Sequence, residues 1–403
     1  MSRTLLSLGP IGAVLVAVAY WGAGCGIQET PGILVVSAAF GDPLPGLTAE
    51  ELARFEAGHV VFSRIFEVAD GLGPRFNENA CNACHTDPAD GGNGETSVTK
   101  ATRIDPDDGR CDLLSLAGGE NLRIRSTTVP RNENARVPVP IEATHVAQFT
   151  VPFLFGLGIV EAIPVERLRN LEDPDDRDGD GISGRLGADG TGKPARFGRK
   201  SDVATLADFV DGAFRLEMGL TTHLVSDEAR AGDLPPVGAP GADPASEPEI
   251  DRATAEAVTD FLRFLAPPGR AELEPASEPL VRRGEALFTG LGCAGCHVPV
   301  LAAGPSPVAA IDGARIGLYS DLLLHDMGPA LEGTCAPGAT TREYRTEPLI
   351  GLRARRQFMH DGRYGRVVDA VLGHDGEARA ARDRFASLDR LTQEALLRFL
   401  DTL

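Results

Sequence analysis

Apolar residues fall at helical spacing in five places along the chain, separated by long polar or glycine-rich stretches. Thr48-Ala49-Glu50-Glu51 carries the Thr and Glu of a capping box, and Leu52, Phe55, His59 and Phe62 continue at the helical period. Residues 200–220 predict a second helix. Residues 251–265 predict a third, with Val258, Phe261, Leu262 and Leu265 on one face. Leu280 to Phe288 opens a fourth, and Thr392 to Leu403 closes the chain with Leu396, Leu397, Leu400 and Leu403 as its apolar face. Strand-like alternation is scarce. The polar stretch from Asp87 to Asp112 and the Pro-, Gly- and Asp-rich stretch from Ala231 to Pro248 read as loops. The pattern therefore predicts a mainly α chain.

Composition adds two constraints. The formal net charge is −19 over 403 residues. Phosphate contacts need clustered Lys and Arg, so an acidic surface argues against nucleic acid. It suits a protein that meets a basic or dipolar redox partner by electrostatic steering. Aromatic content is 5% with a single Trp, low for a soluble enzyme. A bulky group filling part of the core would lower that need.

The N-terminus points to export. Arg3 precedes an apolar run from Leu5 to Trp21, short for a membrane span and read as part of a signal peptide over residues 1–25. Gly22-Ala23-Gly24-Cys25 resembles a bacterial lipoprotein signal, in which the cysteine is lipidated, although Gly22 stands where Leu or Val is usual. The alternative is an ordinary signal peptide or an uncleaved anchor with Cys25 incidental. The expected location is the periplasm, with membrane contact only through a lipid at Cys25. Residues 26–46 contain three prolines and read as a tether.

The strongest signal is a repeated motif, Cys81-Asn82-Ala83-Cys84-His85 and Cys293-Ala294-Gly295-Cys296-His297. Two thiols at this spacing add across the vinyl groups of a porphyrin, and the adjacent imidazole is held under the iron. A Cys-x-x-Cys alone reads equally as a thioredoxin-like pair or half of a zinc site. The following His, the repetition and the export signal together favour two covalent haem c groups. Helix, haem motif, wrapping loops and a final helix is the order of a cytochrome c domain. Two tandem cytochrome c-like haem domains with long loops are therefore expected, over residues 47–270 and 271–403.

Cys111 and Cys335 are left over, and in an oxidising compartment two such cysteines can pair. A second strong ligand makes a haem an electron carrier, whereas an open position admits a small molecule. His59, His145, His223, His325, His360, His374, Met218, Met327 and Met359 are the remaining candidates, and spacing does not choose among them.

From about Leu47 to the C-terminus the chain resembles the bacterial di-haem oxidoreductase family, related to the diheme cytochrome c peroxidases and to the diheme enzyme that matures methylamine dehydrogenase. The matching segments include GLGPRFNENACNACH, DGDGISGR, RFGRKSDVATLADFVDGAFRLEMGLT, LLLHDMGPAL and HDGRYGRVVDAVLGHDGEARAARDRFASL. The resemblance implies that Glu217 stands over the reactive N-terminal haem as an acid/base, carrying a proton between peroxide oxygens. Its neighbours Phe214, Leu216, Met218 and Leu220 are apolar.

The resemblance also implies His374 as distal ligand of the C-terminal haem, opposite His297, with Met327 and Met359 as rivals and His360 beside that haem without ligating it. No His lies between His85 and His145, where related enzymes that need reductive activation keep a distal ligand; this predicts an open N-terminal haem, with His145 the only nearby residue to contradict it. Arg199 stands where the family leads one to expect Trp, which puts a Trp relay between the haems in doubt and leaves Phe197 as the nearest aromatic.

Asp176, Asp178 and Asp180, followed by Gly181, have the alternation of a calcium loop, but Gly187 occupies the twelfth position, so a full EF-hand is excluded. The bland alternative is a solvated acidic turn. The expected function is a peroxidase-type enzyme reducing hydrogen peroxide, with a small redox protein as donor and electrons passing through the C-terminal haem. Related enzymes pair as homodimers. The alternatives are a pure electron-transfer cytochrome and an oxidase acting on a protein substrate.

Overall fold

The computed structural model describes residues 25–30, 33–128, 135–226 and 244–403. The apolar run of the expected signal peptide and most of the 231–248 stretch lie outside the described residues. No helix among the described residues is long and apolar enough to cross a membrane.

The first half carries α1 (Ala49–Phe62), α2 (Leu157–Glu161), α3 (Val165–Arg169), α4 (Leu206–Ala213) and α5 (Arg252–Phe264). The second carries α6 (Glu278–Gly290), α7 (Val367–Leu372), α8 (Arg379–Ala386) and α9 (Arg390–Leu400). Their starts are chemically marked. Thr48 and Glu51 close the expected capping box on α1. The side chains of Asp251 and Asp389 cap α5 and α9 by accepting backbone amides of the first turn.

Short antiparallel pairs pin the loops. β1 (Cys25–Thr30) pairs with β2 (Ile33–Ala38), and β3 (Arg75–Phe76) pairs with β6 (Arg125–Ser126). β4 (Ser97–Ile104) lies between β5 (Cys111–Asp112) and β7 (His145–Thr150). β8 (Gly187–Ala188) pairs with β9 (Pro194–Ala195), β10 (Leu301–Ala302) with β11 (Arg315–Ile316), and β12 (Leu324–Asp326) with β13 (Glu343–Arg345). With 32% helix and 15% strand, the architecture is mixed, which corrects the mainly α expectation. The strands satisfy loop backbone, and most are too short for alternation to register in sequence.

Two helix crossings repeat one another. Gly58 of α1 approaches α5 so closely that a Cβ there would sit 2.1 Å from the Ala257 carbonyl oxygen. Gly284 of α6 approaches α9 in the same way, 2.0 Å from the Ala395 oxygen. Four residues on, Phe62 packs on Phe261 at 4.8 Å between centroids, and Phe288 packs on Phe399 at 5.4 Å. Gly-x-x-x-Phe against Ala-x-x-x-Phe is thus used once per half.

Two findings bear on the expected division. Within the expected tether, β2 and the turns that follow it to residue 46 dock on the body: Ala38 N–H donates to the Pro267 carbonyl at 3.0 Å, and Leu44 N–H to that of Phe264 at 2.7 Å. The burial of Val35, Ala38 and Leu44 explains the docking. The largest apolar cluster also crosses residue 270. It joins Phe55, Phe155, Phe214 and Phe261 to Leu301, Ile316, Leu318, Leu322 and Leu323. A second cluster, centred on Phe288, Phe385, Leu396 and Phe399, belongs to the C-terminal half. Cys111 and Cys335 form a disulfide across 224 residues of sequence.

Candidate functional site

The first motif is a 3₁₀ turn, Cys81–Ala83, running into Cys84 and His85. His85 Nδ1 lies 3.0 Å from the Gly92 carbonyl oxygen, so Nδ1–H donates and the lone pair of the neutral ring is left on Nε2. Burial lowers the His85 pKa to about 4, which keeps the ring neutral. Phe62, carried by the α1–α5 crossing, lies 6.4 Å from the His85 ring. Both thiols are unpaired and held protonated by burial, each pushed up to about 12; for Cys84 the Glu217 charge adds to that effect.

Glu217 sits in a π-helical turn, Phe214–Met218, that continues α4 and stops at Gly219. Its setting is not the apolar one that its sequence neighbours suggested. Asn77 Nδ2 donates to Oε2 at 2.6 Å and Asn121 Nδ2 donates to Oε1 at 2.8 Å. Asn77 Nδ2 also reaches Asn121 Oδ1, and its backbone N–H donates to the Glu217 carbonyl at 2.6 Å. Both asparagines are buried. The carboxylate is therefore fixed at both oxygens by amides, beside Cys84.

The second motif repeats the first. Cys293–Gly295 form a 3₁₀ turn, His297 Nδ1–H donates to the Tyr319 carbonyl at 2.9 Å, and burial lowers the His297 pKa to about 4. His374 follows α7. Its Nδ1–H donates to the Ala370 carbonyl at 2.7 Å, and burial holds its pKa down as well. The His297 and His374 ring centroids are 6.5 Å apart. That is close to what two imidazoles take across one metal ion, given metal–nitrogen bonds of about 2 Å. A cavity of about 240 Å³ opens between them, with Cys293, Cys296 and His374 on its wall. Met327 and Met359 line the same cavity, as does His360, which stacks on Tyr344 at 4.1 Å and meets its hydroxyl through Nε2 at 3.2 Å.

The two sites share a wall. Gly92 accepts the His85 hydrogen bond, and the next residue, Asn93, lines the cavity of the second site together with Thr150, Val151 and Phe153. Arg199 also stands on this wall, donating to Thr150 Oγ1 at 2.7 Å and pairing with Glu347 at 3.1 Å. Phe197 is elsewhere, packed on Phe209. His145 begins β7, near the disulfide end of the sheet, with Nδ1 at 2.9 Å from Thr144 Oγ1 and Nε2 facing Glu332.

The carboxylate partners of one candidate ligand escaped the sequence. His325 bridges Asp321 at 2.9 Å and Glu377 at 2.7 Å, with Cys296 Sγ at 3.6 Å. Burial opposes its charge, but Asp321, Cys296 and Glu377 outweigh burial and raise its pKa to about 12. The sequence offered His325 only as one of the candidate haem ligands and as the histidine of LLLHDMGPAL. The carboxylates of Asp176, Asp178 and Asp180 come within 4.8 Å of one another. Their turn reaches the second motif, since a Cβ on Gly295 would meet Ile182 Cδ1 at 2.6 Å.

Two unpaired thiols, a neutral imidazole with Nε2 available, and this arrangement twice over fit a haem at each motif. Fold and sites together define a two-centre redox protein. A model of the family described as "Di-haem oxidoreductase, putative peroxidase" matches residues 34–146 and 144–403, and the chain belongs to that family. It is thus an oxidoreductase of a family built around two haem groups.

None of the curated proteins matches the chain significantly in sequence. Among solved structures, hydrazine synthase of Kuenenia stuttgartiensis is 12% identical, covering 98% of this chain and 100% of its own, with a TM-score of 0.44. The diheme peroxidase BthA of Burkholderia thailandensis is 17% identical over 94% of this chain and 92% of its own, TM-score 0.44. A MauG-like protein associated with microbial copper homeostasis is 15% identical over 93% and 94%, TM-score 0.41. At such identities the likeness assigns no activity.

Proposed function

We propose that this chain is an exported c-type di-haem enzyme that reduces hydrogen peroxide, with haem c joined to Cys81 and Cys84 and to Cys293 and Cys296. The observation that carries the reading is the Glu217 carboxylate, fixed by Asn77 and Asn121 beside the first motif. Reduction of H2O2 to two waters consumes two electrons and two protons, and the O–O bond breaks most readily when one oxygen loses a proton that the other gains. Glu217 is the group to move that proton. Haem iron supplies electron storage and, at an open coordination position, a place for peroxide.

His85 would hold the group at the reactive site, and His297 with His374 would hold the second. The position of His145, turned to Thr144 and Glu332, supports an open first site. The acidic surface supports a small basic redox protein as donor. The Cys111–Cys335 disulfide supports an oxidising compartment such as the periplasm. The Asp176–Asp178–Asp180 turn is assigned to Ca²⁺, supported by its carboxylate spacing.

Absorption and EPR spectra of the ferric protein, with and without one equivalent of peroxide, test the reading. One high-spin and one low-spin haem are expected, with the high-spin signal lost on peroxide addition. Two low-spin haems indifferent to peroxide, before and after partial reduction, would make the chain an electron carrier instead.

A further inference from the structure

Where the family resemblance leads one to expect Trp, the chain places a cation, Arg199, and that cation is one of three. Arg199, Arg345 and Arg355 all line the cavity between His297 and His374, and all three turn towards a single carboxylate, Glu347. Arg199 Nη1 lies 3.1 Å from Glu347, Arg345 Nη2 3.4 Å and Arg355 Nη1 2.8 Å. Their side chains are only 14%, 8% and 10% exposed.

Three guanidiniums against one carboxylate leave a buried net charge of +2. One further carboxylate, the buried Asp202, acts on Arg345, but Lys100 and Lys200 face it in turn; the remaining hydrogen-bond partners are neutral, namely Thr150 for Arg199 and the Pro348 and Ile350 carbonyls for Arg355. Uncompensated charge in a low-dielectric wall is costly.

A second observation points the same way. The Nε atoms of Arg199, Arg345 and Arg355 are buried without a hydrogen-bond partner, and so is Thr346 Oγ1 on the same wall. Four orphaned donors in one cavity wall mark a missing acceptor. Its required chemistry is a pair of anionic, multi-oxygen groups, and guanidinium forks suit carboxylates. A haem carries two propionate carboxylates, which match both the charge and the donors.

We propose that Arg199, Arg345, Arg355 and Thr346 form the cradle for the propionates of the C-terminal haem, and that Glu347 trims the cluster's charge to neutralise them. This rests on the reading that Cys293, Cys296 and His297 hold a haem. In this arrangement the arginines act on that haem's redox potential. Positive charge beside it favours the ferrous state, and losing one cation favours the ferric.

Spectroelectrochemical titration of the holoprotein, followed at the low-spin haem, tests this, with the mass of the chain reporting how many haems are attached. Arg345→Gln and Arg355→Gln should each lower that midpoint by about tenfold in the ferric/ferrous equilibrium, or about 59 mV for one electron. Glu347→Gln should move it in the opposite direction, and Arg345→Lys should stay within about twofold of wild type. Resonance Raman bands of propionate bending should shift in both Arg→Gln variants.

Midpoints and Raman bands unchanged in every variant, with both haems attached, would reduce the cluster to a structural tie and overturn the proposal. Equal displacement at both haems would overturn it too. A wild-type chain with no haem on Cys293 and Cys296 would instead remove the underlying reading, a result that the mass alone distinguishes.

Discussion

Glu217 owes its place to residues far from it in sequence: Asn77 lies 140 positions away and Asn121 lies 96 away. Replacing Glu217 by Gln keeps the size and removes the carboxylate proposed to carry the proton. Peroxide turnover should fall by about 10²–10⁴-fold with haem spectra unchanged, and full retained activity would remove the acid/base role. His374→Gly tests the other centre: the low-spin EPR signal of the C-terminal haem should be lost, and an unchanged signal would return the ligand to Met327 or Met359. At this scale the sequence was legible wherever spacing within a few residues fixes chemistry, as in both Cys-x-x-Cys-His turns. His374 needed a resemblance. The two asparagines and the arginine cluster were invisible, because their meaning lies in which distant residues they meet.

At the scale of elements, helices were legible because their apolar stripes are long and their caps are local. The strand β4 was missed within a stretch read as loop: its burial does not alternate along the strand, so no two-residue rhythm shows. The paired crossings were also missed, although Gly58 and Phe62, and Gly284 and Phe288, share one spacing. Gly284→Ala would drive a methyl into the Ala395 carbonyl and push α6 off α9. A loss of about 1–3 kcal/mol in unfolding free energy is expected, read by denaturant titration, with disturbed haem bands because Phe288 abuts His297. The acidic turn is tested by chelation. EDTA should lower the melting temperature by roughly 1–2 °C if bound Ca²⁺ contributes about 1 kcal/mol, and Asp178→Ala should abolish the difference. No difference in the wild type would leave a solvated turn.

At the scale of the whole molecule, the halves are stitched rather than strung. Arg185 and Leu324 exchange backbone hydrogen bonds, Thr150 N–H donates to the His360 carbonyl, and the disulfide ties β5 to Cys335. Replacing Cys111 and Cys335 by Ser should cost about 2–4 kcal/mol of stability, measured by chemical denaturation against the oxidised parent. An unchanged midpoint would mean that the non-covalent seam alone sets the stability. The seam was not legible, since a boundary rich in proline looks the same whether the flanking cores are separate or fused.

The fused core has a consequence for descent. The twice-used helix crossing has the form of two copies of one ancestral unit. Yet Leu318, Leu322 and Leu323 of the later half are buried in the cluster of the earlier one. Neither copy can now be inherited, lost or exchanged without the other, so recombination that swaps one half for a foreign relative should be purged unless the buried seam travels with it.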